Sequence, residues 1–218
     1  MGGSILGDWG WVVARGRRGS LPVNCYHPTP LHKSSRTHHE AGAAAVEAAI
    51  VLPLLVVLLL GIVEVGMLLR ADVGLTSAAR SAARVASAEP RIESFATDAA
   101  TAVVQSGTGM SQADLQEVWV YRANSAGYPG PEGATSFPAE CPQACVRFQF
   151  QDGVPVPVAG QWPATDVQAC VGNADAVGVR VVATHRPVSA GIIGETNMSR
   201  RAVMTFEPVV AEVQQCSA

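Results

Sequence analysis

The chain has 218 residues, 48 % of them hydrophobic, and a formal net charge of −3. That length allows one domain plus an anchor but is short for two full domains. A mean hydropathy of +0.21 is high for a soluble protein, and no basic block is dense enough for a nucleic-acid groove.

Residues 1–40 carry Gly, Pro, His and Arg without apolar periodicity, as in "ARGRRGSLPVNCYHPTPLHKSSRTHHE". This composition predicts a disordered leader, drawn to residue 42. Four of the five histidines, His27, His32, His38 and His39, fall here; a solvated polar tract explains them better than a metal cluster.

From Ala43 to Val63 the sequence gives 21 positions interrupted only by Glu47. As a helix this covers roughly 30 Å, the thickness of a bilayer core, and predicts a transmembrane helix over 43–69. Ahead of it stand Arg15, Arg17, Arg18, Lys33 and Arg36 against Asp8 and Glu40. The positive-inside rule then predicts a single-pass cell-membrane protein with a cytoplasmic N-terminus and an extracytoplasmic C-terminal part. The stretch is longer than the usual signal-peptide core and continues in helical register, so an anchor is the better reading. Proline is tolerated in membrane helices, which accounts for Pro53. Glu64 reads as a solvated acid at the end of the span.

Leu75, Ala78, Ala79, Ala82, Val85 and Ala86 keep helical spacing beyond the span, with Arg80 and Arg84 on another face. One helix over 43–88 is predicted, ended by Pro90. A second helix is predicted to start near Pro90, with the stripe Ile92, Phe95, Ala96, Ala99 and Val103; together they form extracytoplasmic helices over 70–106.

Over 107–218 the period changes to two. "EVWVYR" (117–122), "VRFQFQ" (146–151), "VGVRVVATHR" (177–186) and "RAVMTFE" (201–207) predict about four antiparallel strands. Their apolar faces would be Val146, Phe148 and Phe150; Val177, Val179, Val181 and Ala183; and Ala202, Met204 and Phe206. The Pro- and Gly-rich "ANSAGYPGPEGATSFPAE" and "QDGVPVPVAGQWPATD" read as loops. The fold class is α+β: a long N-terminal helix, a second short helix, and a small antiparallel sheet that the helices cover.

Cys141, Cys145, Cys170 and Cys216 lie on the predicted outer side, where disulfides persist, and Cys25 lies in the leader. Four cysteines allow three pairings, which spacing alone leaves open. "CPQAC" lacks zinc-knuckle spacing and no histidine follows at ligand distance, so no metal and no cofactor are expected. No nucleophile elbow, metalloprotease motif or phosphate-binding loop occurs, so neither an enzyme nor a small-molecule substrate is expected. His185 reads as a surface or satisfied histidine within a strand.

The stretch Gly42 to Arg84, "GAAAVEAAIVLPLLVVLLLGIVEVG" followed by "LTSAARSAAR", resembles the TadE-like family of Flp-type (tight adherence) pilus systems. The Gly, the Val-Glu pair, Leu52-Pro53 and Gly61-Ile62-Val63-Glu64 carry the likeness, although Ala48 stands where the family often has an aromatic residue. The resemblance implies a pilin-like fold and use: a prepilin peptidase cuts between Gly42 and Ala43, and Glu47, then the fifth residue, becomes an assembly contact. The implied partners are that peptidase, other pilin-like subunits, inner-membrane pilus assembly proteins and the lipid bilayer. The competing expectation is an unprocessed single-pass envelope protein whose outer domain recruits another partner, with a tethered enzyme last.

Overall fold

A computed structural model describes residues 37–108, 110–188 and 194–208, with side chains from Gly42 onward. The leader with Cys25 and its histidines, and Cys216, lie outside the described residues. The chain divides into two units, residues 1–48 and 49–218. The strands, the second helix and the greater part of the opening helix all belong to the second unit.

Helix α1 runs Thr37–Ala88, 52 residues with Pro53 inside it. It begins six residues before the predicted start at 43 and ends where predicted, because Glu89 precedes Pro90 and is pushed out of helical conformation. Turns follow, held by Glu89 N–H to Ala86 O (3.3 Å), Ile92 N–H to Glu89 O (3.2 Å) and Phe95 N–H to Ile92 O (3.0 Å). Helix α2 therefore occupies Phe95–Gln105 and not the stretch from Pro90. Ile92 is left outside it and 49 % exposed. The acid in the first turn of α2 is Asp98, where it meets the positive end of the helix dipole.

The remaining chain forms β1 (Leu115–Ala123), β2 (Cys145–Gln151), β3 (Val154–Gln161), β4 (Ala169–Cys170), β5 (Asn173–Ala174), β6 (Ala176–His185) and β7 (Thr196–Thr205). Five of these make one antiparallel sheet in the order β3-β2-β1-β6-β7, and β4 and β5 pair separately. The expectation of about four strands is thus corrected to five plus two. The added strand, β3, is "VPVPVAGQ", which its prolines made look like a loop. Proline lacks a ladder donor, but an edge strand has one side without a neighbour. Pro155 and Pro157, two residues apart, place both missing donors on the same side of β3.

Alternation assigns the two faces. The inner face carries Val118, Val120, Phe148, Val177, Val179, Val181 and Ala183, all buried. It is covered by α2 and by the second part of α1, where Ala71, Leu75, Ala78, Ala79, Ala82, Ala83 and Ala86 are 0–3 % exposed. Alanine lets the helix axis approach the sheet and α2 closely. Gly74 shows how closely: a Cβ there would lie 1.8 Å from the Thr108 carbonyl oxygen. Phe95, Trp162 and Phe206 close the core, with ring centroids 5.3–5.9 Å apart and edge-to-face.

The outer face is covered as well. Trp119, Tyr121 and Cys145 form a second buried cluster with Phe137 and Cys141. The segment 124–144 is held over them by Asn124, whose Nδ2 donates to Pro131 O and Ala134 O (both 2.9 Å). Asn124 Oδ1 accepts from the N–H groups of Ala126 and Tyr128 (both 3.0 Å). Arginines from neighbouring strands stack on this layer: Arg180 lies 4.2 Å from the Phe137 ring and Arg201 3.6 Å from that of Tyr128.

Candidate functional site

Three regions of the molecule bear on function: the start of α1, the middle of α1 where it meets the sheet, and the cysteine-bearing outer layer. The candidate processing residues Gly42 and Ala43 lie in the first turns of α1, and Glu47 follows one turn later; all are exposed. A Cβ at Gly42 would meet nothing within 4 Å. Glycine inside a helix costs about 1 kcal/mol relative to alanine, so packing among the described residues gives no reason for that residue.

From Val46 to Leu60 the large apolar side chains are 43–71 % exposed. One helix, Gly42–Ala88 among the described residues, is long and apolar enough to cross a membrane, and its most apolar window has no buried residue.

Glu64 departs from the solvated acid expected of it. It is 6 % exposed. Its Oε1 lies 3.1 Å from His185 Nε2, where the imidazole donates. Its Oε2 accepts the Val188 N–H at 3.0 Å. His185 ends β6, so the acid ties α1 to one end of the sheet and to the chain leaving it. His185 thus has a hydrogen-bond partner, in keeping with a satisfied histidine within a strand. Beyond Glu64 along the helix, Arg70 is exposed, and Asp72 is ion-paired with Arg200 of β7. Further on, Arg80 and Arg84 face outward.

In the outer layer Cys141 and Cys145 are joined by a disulfide, Cα atoms 5.6 Å apart. This selects among the three pairings left open. Cys170 is also disulfide-bonded. Tyr121 lies beneath Phe137, and its hydroxyl donates to Gly127 O at 3.1 Å. Burial pushes its pKa up to about 12, against the opposing charges of Arg201 and Arg180. Burial also holds Arg180 below the ordinary arginine value, against the attraction of Glu117. Gly178 makes room for that phenol: a Cβ there would sit 2.4 Å from the Tyr121 ring. The tyrosine is fully covered and its hydroxyl is held by the Gly127 carbonyl. Among the described residues no group of three or more His, Cys, Asp or Glu could hold a metal ion.

Sequence reasoning missed the Glu64–His185 contact, although it singled out each residue. The two are 121 positions apart. The available signal was an acid one turn inside a span's end together with a histidine at the end of a strand pattern.

The family model described as TadE-like protein matches residues 42–84. The match takes in the exposed apolar part of α1 and most of the alanine-faced part, including Gly42, Glu47 and Glu64. No curated protein and no solved structure matches the chain.

Proposed function

We propose, with the TadE-like helix as premise, that this protein is a membrane-anchored, pilin-related subunit acting in the assembly of a Flp-type pilus or related secretion apparatus. In this reading it does no chemistry. The observation that carries it is α1 itself: an exposed apolar half continues without a break into an alanine-faced half docked on a sheet. Such a helix anchors an outer domain and leaves a long apolar rod free to pack beside other rods.

Glu47 has a use in this arrangement. A carboxylate in a span costs about 2.5–3.5 kcal/mol at the centre and less near an end. Cutting after Gly42 creates an α-amino group four residues from Glu47. The amine of one subunit can then neutralise the acid of its neighbour and fix the register between helices. The glycine that packing does not require is explained by the peptidase that reads it. The other partners are pilin-like subunits, inner-membrane assembly proteins and the bilayer, with the domain after Arg70 extracytoplasmic.

Intact mass or N-terminal sequencing of membrane-extracted protein tests this directly. The mature chain is expected to begin at Ala43, and Gly42→Leu is expected to retain the leader. Glu47→Ala should be cut normally yet assemble poorly. A working chain that keeps residues 1–42 would overturn the reading in favour of an unprocessed envelope protein.

A further inference from the structure

The strand register sorts the sheet into two rims. Leu115, Gln151, Val154, His185 and Thr196 share one, because Leu115 pairs with Ala183, Gln151 with Val154 and His185 with Thr196. Ala123, Cys145, Gln161, Ala176 and Thr205 share the other. Helix α1 touches the first rim at Glu64, through His185 and Val188. It touches the second at Ser87, whose carbonyl accepts the Glu207 N–H at 2.8 Å. The helix therefore runs alongside the sheet from rim to rim, and the first rim lies level with Glu64.

On the membrane-span reading, with the span starting at Ala43, that level falls near the edge of a bilayer. From Ala43 to Glu64 is 22 residues, about 33 Å of helix, against a hydrocarbon core of about 30 Å. Apolar exposure does not stop at the acid: Val65, Leu69 and Val73 are 56–69 % exposed. Glu64 is sheltered by protein on the side where the sheet sits, so its charge does not force this level of the helix into water. The first rim also presents apolar side chains outward, Val188 at 68 % and Val154 at 60 % exposed. Around them, Arg186 pairs with Asp114 at 3.6 Å and Glu195 at 3.3 Å, which leaves one acid in excess, and Asp152 stands exposed in the β2–β3 turn.

We propose that this rim is a second membrane contact: Val188, clamped to α1 through its own N–H, seats in the lipid interface beside the span, with Val154 near it. The occupant is a lipid surface, and the inference rests on the membrane-span reading of α1. The domain is docked along the second part of α1, so domain and helix can tilt in the bilayer only together. A domain that also rests on the bilayer is held at one height and tilt.

The test uses the full chain in vesicles of phosphatidylcholine and phosphatidylglycerol whose acyl chains carry bromine, which quenches tryptophan. Emission is read as the increment over the parent chain, which has four tryptophans. Val57→Trp reports the span, 61 % exposed; Val188→Trp and Val154→Trp report the first rim. Val171→Trp, 78 % exposed in the β4–β5 turn by the second rim, reports the outer solution. Bromine is expected to remove most of the Val57→Trp increment. The Val188→Trp increment should fall about twofold, more with shallow than with deep bromines, and the Val171→Trp increment should be untouched. Val188→Trp behaving like Val171→Trp while Val57→Trp is quenched would overturn the rim contact alone. An unquenched Val57→Trp would overturn the span reading and the contact with it.

Discussion

The two halves of α1 share a backbone geometry and differ in everything that surrounds it. In the first half leucine, valine and isoleucine point outward, 43–71 % exposed. In the second half the apolar residues that face the sheet and α2 are alanines and Leu75, sealed at 0–3 %, while Val65, Leu69 and Val73 on the other side stay exposed. Hydrophobicity alone would rank the first half as the more buried. Side-chain size gives the better guide here. Large side chains cover a rod that must meet lipid, whereas small ones let a helix lie close against a sheet and a second helix.

The strongest way to break that contrast is to enlarge the second half where it is tightest. Gly74→Leu would drive a side chain into the Thr108 carbonyl, 1.8 Å from its Cβ, and backbone yields less readily than a side chain. Overpacking usually costs 1–3 kcal/mol and sometimes more; at this position about 3 kcal/mol or more is expected. Urea unfolding of the outer domain in detergent micelles, followed by near-ultraviolet circular dichroism, reads the loss. An unchanged midpoint would mean that the helix does not dock where the structure has it.

Next in size is the junction between the halves. Glu64→Leu suits the apolar surroundings but leaves His185 and the Val188 N–H without their acceptor. Losing hydrogen bonds to a charged group costs about 2–3 kcal/mol. Hydrogen exchange at Val188 should speed up while exchange at the far contact, Glu207 to Ser87, changes little. Equal acceleration at both would mean that the acid stabilises the domain as a whole and does not act as a local clamp.

A comparable loss can be produced from the opposite side of the sheet, without touching α1. Tyr121 has a folded pKa of about 12 against an ordinary 10. The folded state therefore holds this proton more tightly than the unfolded chain does. Its contribution is complete below pH 10 and is lost as pH rises from 10 through 12, in total about 2–3 kcal/mol. Tyr121→Phe should flatten that part of the stability profile, and far-ultraviolet dichroism from the apolar half of α1 should persist through it. An unaltered slope in the variant would locate the alkaline loss elsewhere.

How much of this was legible in the sequence depends on how local each feature is. The continuation of α1 past the span was legible, since Leu75, Ala78, Ala79, Ala82 and Ala86 keep one period with the apolar run before them. The inner faces of β2 and β6 were legible from simple alternation. β3 was not, because two prolines suggest a loop until the strand's place at a sheet edge is known. The covered outer face had a signal that went unused: Val118, Trp119, Val120 and Tyr121 are apolar on both parities, as in a strand buried on two sides. The Glu64 site was the least legible. No local pattern tells a solvated acid from one received by a histidine more than a hundred residues away.

A second glycine of α1 serves as the control for Gly74. Gly66, eight residues before Gly74 on the same helix, has nothing within 4 Å of a built Cβ. Gly66→Leu should therefore leave the stability of the outer domain within about 0.5 kcal/mol of the parent, as substitutions away from packed features usually do. The same chemical change thus costs about 3 kcal/mol or more on the docked side of the helix and almost nothing on its open side. Any cost of Gly66→Leu that shows only in the assembled apparatus, and not in the isolated domain, would locate that glycine's neighbours on another subunit. A loss of outer-domain stability matching that of Gly74→Leu would instead mean that the side of α1 bearing Gly66 packs against its own chain, and the distinction between an open and a docked side of the helix would fail.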